Sequence, residues 1–256
     1  MTYLLIGTGN MAHFLALRLS LAGWQCVGVF GRNVAKAQQL AASLQAPAII
    51  ELSAVPTTAN ACILAVSDSA IASVAAQLPA LTQTVLIHTS GAASLDEIKH
   101  PLKACLWPIY SIVSKDFPNH RQIPIIYECN SENARIIVES LAKSISDKVE
   151  ATTHEKRLQL HLVAAISNNF INHILAIAKQ YCTEHALDFS LFQPILQQTF
   201  ERAITQNPIT TQTGAAKRND TATMQKHLQL LQEHPQWQQL YKIISQSIKD
   251  MYSTIG

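Results

Sequence analysis

The 256-residue chain has few charged residues, and no Asp or Glu occurs before Glu51. Charged residues make up 14% of the sequence and the net charge is +2, whereas typical soluble domains carry roughly 25% charged residues. No block of like charges occurs, so a nucleic-acid or anionic-membrane partner is not expected. The scarcity of charge also suggests that part of the surface is buried between subunits.

Long apolar runs and paired cysteines are also missing. The longest apolar runs, such as ACILAV at 61–66, are far shorter than the ~20 residues that a membrane-spanning helix needs. The N-terminus lacks the basic segment and cleavage site of a secretory signal, so we expect a cytoplasmic protein. The five cysteines are widely spaced and form no Cys-x-x-Cys pair, which argues against a disulfide framework and against a metal site.

Apolar strands alternate with helical segments through the first 150 residues. The predicted strands are 2–7, 25–32, 47–52, 61–66, 84–89, 104–109 and 123–128, and the predicted helices are 10–22, 34–45, 68–78 and 131–146. This alternation implies βαβ crossovers and a parallel sheet covered on both faces. Beyond Lys148 no strand is predicted, and the predicted helices are 152–185, 188–206, 220–233 and 236–253.

The fold class that follows is α/β: a Rossmann-type, doubly wound, mostly parallel sheet followed by an all-α C-terminal domain. We place the dinucleotide-binding domain at 1–150 and the helical substrate and dimerisation domain at 151–256.

The first strand leads directly into a glycine-rich turn. Gly7, Gly9 and Ala12 occupy the three small-residue positions of the dinucleotide-binding pattern GxGxxG/A. The helix that begins near Asn10 offers free N–H groups and a partial positive charge to phosphates. A purely structural turn is the alternative, but the strand–turn–helix context favours binding. The predicted cofactor-binding residues here are Gly7, Thr8, Gly9, Asn10, Met11 and Ala12.

The end of the second strand indicates which dinucleotide is bound. NAD-binding proteins place an acidic residue about 20 residues beyond the glycines, where it binds the ribose 2′-hydroxyl. Here Arg32 takes that place, between Gly31 and Asn33. A guanidinium matches the charge and geometry of a phosphate, so we predict NADP(H) rather than NAD(H), with Gly31, Arg32 and Asn33 in the site. A solvated surface charge is the alternative for Arg32.

Two further segments follow strands, at 65–71 and 88–94. Ligands of open α/β sheets bind beyond the carboxyl ends of the strands. We therefore add to the cofactor-binding residues Val66, Ser67, Ser69, Thr89 and Ser90. Ser90 is also a candidate for substrate contact, although a Ser–Gly pair after a strand is often only a turn.

The order of these motifs resembles the pyrroline-5-carboxylate reductase and 6-phosphogluconate dehydrogenase-like superfamily. The sequence looks most similar to a branch of NADP oxidoreductases with a Rossmann-like N-terminal domain and a helical C-terminal domain of unknown function. Two stretches carry that closer resemblance, LHLVAAISNNF at 160–170 and TGAAKRNDTATMQKHL at 213–228. The second departs from the family pattern at Ala215, where proline is usual, and at Asn219, where glycine is usual.

The resemblance suggests a substrate site in the helical half. His161 and Asn168 lie on a polar stripe of an otherwise apolar helix. Such a stripe needs hydrogen-bond partners, which a ligand could supply, and neighbouring backbone or a partner subunit is the alternative. In the similar reductases the later loop contacts a substrate carboxylate, a role that Arg218 could take. Asp220 could act only as a helix N-cap. The catalytic candidates are therefore His161, Asn168, Ser90 and Arg218, with His161 the favoured proton donor and His88 the alternative.

The leading hypothesis is an NADP-dependent oxidoreductase that transfers a hydride between NADP(H) and a small polar imine, carbonyl or alcohol. A non-catalytic NADP-binding sensor or scaffold is the alternative, because a fold does not settle a function. Apolar stretches of the C-terminal helices, together with the resemblance, predict a homodimer.

Overall fold

The computed structural model describes residues 1–113 and 117–253. Within them, eight strands form one sheet in the order β3-β2-β1-β4-β5-β6-β7-β8. The strands are β1 Thr2–Ile6, β2 Gln25–Phe30, β3 Ala48–Ile49, β4 Ala61–Leu64, β5 Val85–His88, β6 Lys103–Pro108, β7 Ile125–Cys129 and β8 Val149–Ala151. Every neighbouring pair is parallel except β6 and β7, which are antiparallel. The predicted Rossmann-type, mostly parallel sheet is confirmed.

The prediction that no strand follows Lys148 was wrong. β8 pairs with β7 through Val149, Glu150 and Ala151. All three are exposed or half-buried, because β8 is the last strand of the sheet and has a neighbour on one side only. A three-residue edge strand contains no apolar run, so the pattern that revealed the buried strands does not reveal this one.

Helices cover both faces of the sheet. The helices are α1 Asn10–Leu21, α2 Val34–Ser43, α3 Ile71–Ala75, α4 Glu132–Ile145, α5 His154–Ala164, α6 Ile171–Glu184, α7 Gln193–Thr205, α8 Pro208–Thr211, α9 Thr221–Leu230 and α10 Pro235–Ser253. One core cluster joins a sheet face to α1, α2 and α4, and a second joins the opposite face to α3. Burial of both faces explains why β4 and β5 are apolar at nearly every position.

The predicted helix over 152–185 is not one regular α-helix. α5 passes into a π-helical turn, Ala165–Phe170, before α6 begins at Ile171. A π-turn inserts an extra residue per turn. The side-chain periodicity of the sequence did not predict this turn. The short helix α8, which begins at Pro208, also went unpredicted. Proline is suited to the first turn of a helix, where its missing N–H has no partner to lose.

The chain divides into two compact units, Met1–Asn169 and Phe170–Gly256. The domain boundary that the sequence suggests, at 150/151, falls within β8 and stays a prediction. By length and composition alone, the helical stretch His154–Glu184 could cross a membrane, which the short apolar runs did not suggest. The same stretch carries Arg157, whose guanidinium is fully buried in the first unit and ion-paired with Glu128.

Candidate functional site

The turn after β1 is shaped by two glycines with different structural demands. Gly7 has φ +127°, and a Cβ there would lie 2.1 Å from the carbonyl oxygen of Ala65. Its N–H donates to the carbonyl oxygen of Phe30 at 2.8 Å. Gly9 has ordinary dihedral angles, and a Cβ there would meet no described atom within 4 Å. Packing within the chain therefore requires glycine at position 7 but not at position 9.

Helix α1 begins immediately after Gly9. Its N-terminus has no side-chain cap and no acidic residue in the first turn, so its positive end is not neutralised locally. The Asn10 side chain instead donates from Nδ2 to the carbonyl oxygen of Ile112 at 3.3 Å. That bond ties the glycine turn to the segment that follows β6. The arrangement can accept an anion at the helix N-terminus.

Arg32 lies exposed at the end of β2, beside the same turn. Among the described residues the Arg32 guanidinium has no ion-pair or hydrogen-bond partner, so it is not committed to a structural role. Asn33 is committed, because its side chain accepts from the backbone N–H of Lys36 at 3.0 Å and caps α2. Gly31 lets Thr8 approach, since a Cβ there would lie 2.6 Å from the Thr8 methyl group.

A cavity of about 630 Å³ joins these elements. Of the residues predicted to bind a cofactor, those lining it are Gly7, Thr8, Gly9, Asn10, Met11, Gly31, Arg32, Asn33, Val66 and Ser67. Ala12 is buried in the core between α1 and the sheet, Ser69 is exposed outside the cavity lining, and Thr89 and Ser90 lie buried after β5. Lys36 and Gln77 also line the cavity, and sequence analysis had not included them in the site.

The turn after β5 is tied down by its own polar groups. The Ser90 hydroxyl accepts from the backbone N–H groups of Ala92 and Ala93 at 3.0 and 2.9 Å. The Ser90 N–H donates to Nδ1 of His88 at 3.2 Å. Burial, followed by the positive charge of Arg157, lowers the pKa of His88 to about 3. His88 is thus neutral at physiological pH, which disfavours it as a proton donor.

A second cavity, of about 560 Å³, lies beyond β6. It is lined by Trp107, Ile109, Tyr110, Ser111, His161, Ala164, Ala165, Ser167, Asn168 and Asn169. The structure therefore brings His161 and Asn168 to one cavity. None of these described lining residues is Asp, Glu, Lys or Arg, so the cavity offers hydrogen bonds and aromatic surface rather than formal charge.

His161 is held against the turn after β5. Its ring meets Trp107 edge-on, with centroids 5.5 Å apart. A Cβ at Gly91 would lie 2.3 Å from Cδ2 of His161 and 2.8 Å from Cε2 of Trp107. The absence of a side chain at position 91 therefore allows the imidazole to lie directly on the backbone at the end of β5. That is the edge of the sheet where ligands of this fold class bind.

Asn168 lies in the π-helical turn and is exposed. Its side-chain Nδ2 donates to Oδ1 of Asn169 at 3.0 Å. The helical spacing assumed for the polar stripe does not apply across this turn, because α5 ends at Ala164. The π-turn is nevertheless where three polar side chains, those of Ser167, Asn168 and Asn169, line the cavity.

Arg157 connects the same elements and was missed by sequence analysis. It is fully buried, and its guanidinium donates to Glu128 and to the carbonyl oxygens of Ser90 and Ala93. Its sequence signal was its spacing, since it precedes His161 by four residues and so shares a helix face with it. Trp107 was missed too, because within an apolar strand it resembles any other core residue.

Arg218 belongs to the second compact unit. It is exposed, in a turn that contains two positive-φ residues, Gly214 and Asn219. Asp220 caps α9 by accepting from the backbone N–H and the hydroxyl of Thr223, at 3.0 and 2.7 Å. These two bonds hold the pKa of the Asp220 carboxyl below its ordinary value. The capping role considered for Asp220 is thus the role that the structure gives it.

Two family comparisons cover most of the chain. Residues 2–91 match the family described as NADP oxidoreductase, coenzyme F420-dependent. Residues 123–248 match a domain of unknown function, DUF2520. Among curated protein sequences, none matches this chain.

Solved structures resemble the chain over its whole length. A candidate NADP oxidoreductase from Bacteroides fragilis is 27% identical with a TM-score of 0.88, and the match covers 97% of this chain and 98% of that one. Protein TM1727 from Thermotoga maritima is 24% identical with a TM-score of 0.71, covering 98% of both chains. The reductive aminase from Aspergillus terreus, solved with NADPH and ethyl-5-oxohexanoate, is 14% identical with a TM-score of 0.71, covering 100% of this chain and 99% of that one. The last two likenesses concern the fold.

Proposed function

Because residues 2–91 match the family described as NADP oxidoreductase, coenzyme F420-dependent, and residues 123–248 match DUF2520, we propose that the chain is an NADP(H)-dependent reductase of small polar imines or carbonyl compounds. The description of the family that residues 2–91 match names NADP, and NADP(H) is the cofactor that follows from it. The observation that carries the proposal is the 630 Å³ cavity, in which the glycine turn, the uncapped N-terminus of α1 and Arg32 come together.

The residues of this cavity fit a phosphorylated dinucleotide. The backbone at Gly9 can be approached closely, because nothing in the described chain occupies the space of a Cβ there. The N–H groups at the start of α1 would bind the diphosphate. Arg32, with Lys36 beside it, would bind the 2′-phosphate through charge-assisted hydrogen bonds. We propose that Val66 and Ser67 contact the ribose on the nicotinamide side.

The bound cofactor would supply the hydride, as nicotinamides do. The chain's own residues would orient the substrate and supply a proton. His161 is the proposed proton donor, because it lines the second cavity and lies on the backbone at the end of β5. Asn168 would hold the substrate by hydrogen bonds. Thr89 and Ser90 are proposed to approach the nicotinamide. Ser90 would do so through its backbone and its hydroxyl group.

The second cavity favours a substrate with uncharged polar groups. Its described lining combines Trp107 and Tyr110 with serine, asparagine and histidine side chains. The reductive aminase of similar fold was solved with a keto ester, which is uncharged. Arg218 stays a proposed contact for substrates that carry an acidic group. An imine or ketone with a hydroxyl, ester or amide substituent is the substrate class to screen first.

The first experiment is calorimetric titration of NADPH and NADH into the wild type and Arg32→Ala. We expect the wild type to prefer NADPH, and we expect Arg32→Ala to lose about 1.5–3 kcal/mol of NADPH binding free energy because the bonds to the phosphate are charge-assisted. NADH binding should hardly change, since NADH has no 2′-phosphate. Arg202→Ala, which removes the same charge from an exposed position of α7, is the matched control.

Equal loss of NADPH and NADH affinity in Arg32→Ala would contradict the phosphate-binding role. Failure of the wild type to bind either nucleotide would remove the proposed reductase function altogether. If NADPH binds but no imine or ketone in a broad screen causes its oxidation, the non-catalytic sensor becomes the better proposal.

We further propose that the protein is a homodimer in the cytoplasm. Of the 25 large hydrophobic side chains exposed among the described residues, 14 lie between Leu158 and Ile209. So many exposed apolar side chains within about 50 residues are unusual for helices that face water alone. A second copy of the chain would cover apolar side chains without the cost of placing charged residues such as Lys156 and Lys179 in a bilayer.

A further inference from the structure

The most heavily bonded side chain near the second cavity does not line it. Arg157 has no exposed surface, and its guanidinium bridges three parts of the first unit: α5, β7 and the turn after β5. We propose that the Arg157–Glu128 pair is a positioning device that fixes the His161 imidazole on the turn after β5. The inference rests on the reductase function proposed above, in which His161 donates the proton.

The guanidinium holds both ends of that turn. Its Nη1 donates to the carbonyl oxygen of Ser90 at 2.9 Å, and its Nη2 donates to that of Ala93 at 2.7 Å. The guanidinium also donates to Oε2 of Glu128, from Nε at 3.2 Å and from Nη2 at 2.8 Å. These four hydrogen bonds use the five N–H donors that a planar guanidinium holds in fixed directions, whereas a lysine ammonium has three N–H donors on one atom. A lysine ammonium could not reproduce this set.

The turn that Arg157 holds is the one on which His161 lies. Arg157 and His161 are four residues apart and therefore project from the same face of α5. Gly91 lies between the two carbonyls that Arg157 binds, and even one added methyl at position 91 would overlap Cδ2 of His161. Because the imidazole packs on the backbone of this turn, a displacement of the turn relative to α5 would change the surroundings of the ring. The arginine thereby sets the position of the imidazole.

A buried ion pair contributes little net stability compared with apolar side chains, so stability alone does not explain the Arg157–Glu128 pair. Apolar side chains of similar volume are often as stabilising as a buried pair, because desolvating two charges is costly. Directed hydrogen bonds, by contrast, specify one geometry. Glu128, with 16% of its side chain exposed, balances the guanidinium charge, and His154 adds a further contact at 3.1 Å from Nη2 to Nδ1.

The test follows the ring protons of His161 by NMR, assigned through their loss in His161→Gln. Trp107 lies 5.5 Å from the imidazole, so its ring current should displace these resonances from their free values. We expect the displacement to be largely lost in Arg157→Met and Arg157→Lys and partly lost in Glu128→Gln. Arg18→Met is the matched control, because Arg18 is also a buried arginine bonded to a carbonyl oxygen, that of Ile145.

Unchanged His161 resonances in folded Arg157→Lys and Glu128→Gln would overturn the proposal, as would an equal change in Arg18→Met. If Arg157→Met does not fold, the two milder variants decide. Full restoration of the wild-type signal by lysine would also overturn it, since charge alone would then suffice. The NMR result does not depend on cofactor binding, so failure of NADPH to bind would refute the reductase function separately.

A kinetic measurement extends the test once a substrate is known. Misplacing a catalytic group by about 1 Å can cost about 10²-fold in rate, so kcat should fall by that order in Arg157→Lys. The KM for NADPH should stay within about twofold of wild type, because the cofactor cavity contains neither residue of the pair. A rise of similar size in the KM for NADPH, with kcat unchanged, would contradict a positioning role.

Discussion

At the scale of single residues, Gly7 and Gly9 are the same amino acid under different constraints. Gly7 combines a φ of +127° with a would-be Cβ 2.1 Å from Ala65 O. Neither constraint applies to Gly9, because its φ is −82° and no described atom lies within 4 Å of the position that a Cβ would occupy. The first glycine is needed by the fold, and we attribute the second to the approach of the cofactor.

This contrast predicts opposite consequences for two alanine substitutions. Gly7→Ala should lower the free energy of unfolding by at least about 2 kcal/mol, because the left-handed backbone and the clash both oppose a side chain. Gly9→Ala should change it by less than about 0.5 kcal/mol but weaken NADPH binding at least about tenfold. Urea unfolding and calorimetric titration check the pair. Wild-type NADPH affinity in Gly9→Ala would show that the turn does not hold the diphosphate.

At the scale of elements, the π-helical turn Ala165–Phe170 is the departure from regular structure nearest the second cavity. It interrupts α5 and α6, and its residues Ser167, Asn168 and Asn169 line the cavity. π-turns are less stable than α-helix and occur frequently at functional sites. We infer that the turn gives up some stability in order to bring polar side chains to the cavity that His161 also lines.

Deleting Ile166, which is 51% exposed, should convert the π-turn to regular α-helix. We expect the free energy of unfolding to stay the same or rise, NADPH affinity to be unchanged, and turnover of an imine or ketone substrate to fall. Deleting Leu17, another exposed residue but one within the regular helix α1, serves as a control that should destabilise the protein. Lost stability with full turnover in the Ile166 deletion would assign the π-turn to packing instead.

At the scale of the whole molecule, the concentration of exposed apolar side chains between Leu158 and Ile209 is the feature that one chain leaves unexplained. The helix that could cross a membrane by composition, His154–Glu184, contributes to it. A bilayer and a second copy of the chain would both cover apolar surface. A bilayer would require charged residues such as Lys156 and Lys179 to be buried in lipid, whereas a second copy of the chain would not. A dimer would also have twice the mass of one chain.

We predict a dimer of about twice 28.1 kDa in sedimentation velocity without detergent. Ile204→Arg, at a side chain 84% exposed on α7, should shift it towards monomer, because a buried unpaired charge at an interface is costly. Leu21→Arg, at a 69% exposed position of α1, is the control and should stay dimeric. Monomer at all concentrations, or flotation with neutral lipid vesicles, would contradict the homodimer.

The sequence by itself determined the sheet and the turn of the cofactor site. Strands β1 to β7 were predictable because apolar runs are what a sheet covered on both faces demands. Gly7, Gly9 and Arg32 could be proposed as cofactor-binding residues because the roles proposed for them depend on local backbone geometry and on their place after β1 and β2.

Only the tertiary structure decided the edge strand β8, the π-turn and the contacts around His161. β8 is held by hydrogen bonds to β7 rather than by buried side chains, so its sequence carries no pattern. Arg157 meets Ser90, Ala93 and Glu128 across 67, 64 and 29 residues of chain, and no local pattern encodes partners that far away. Periodicity records which face of an element is buried, whereas the folding of the chain decides which distant groups meet there.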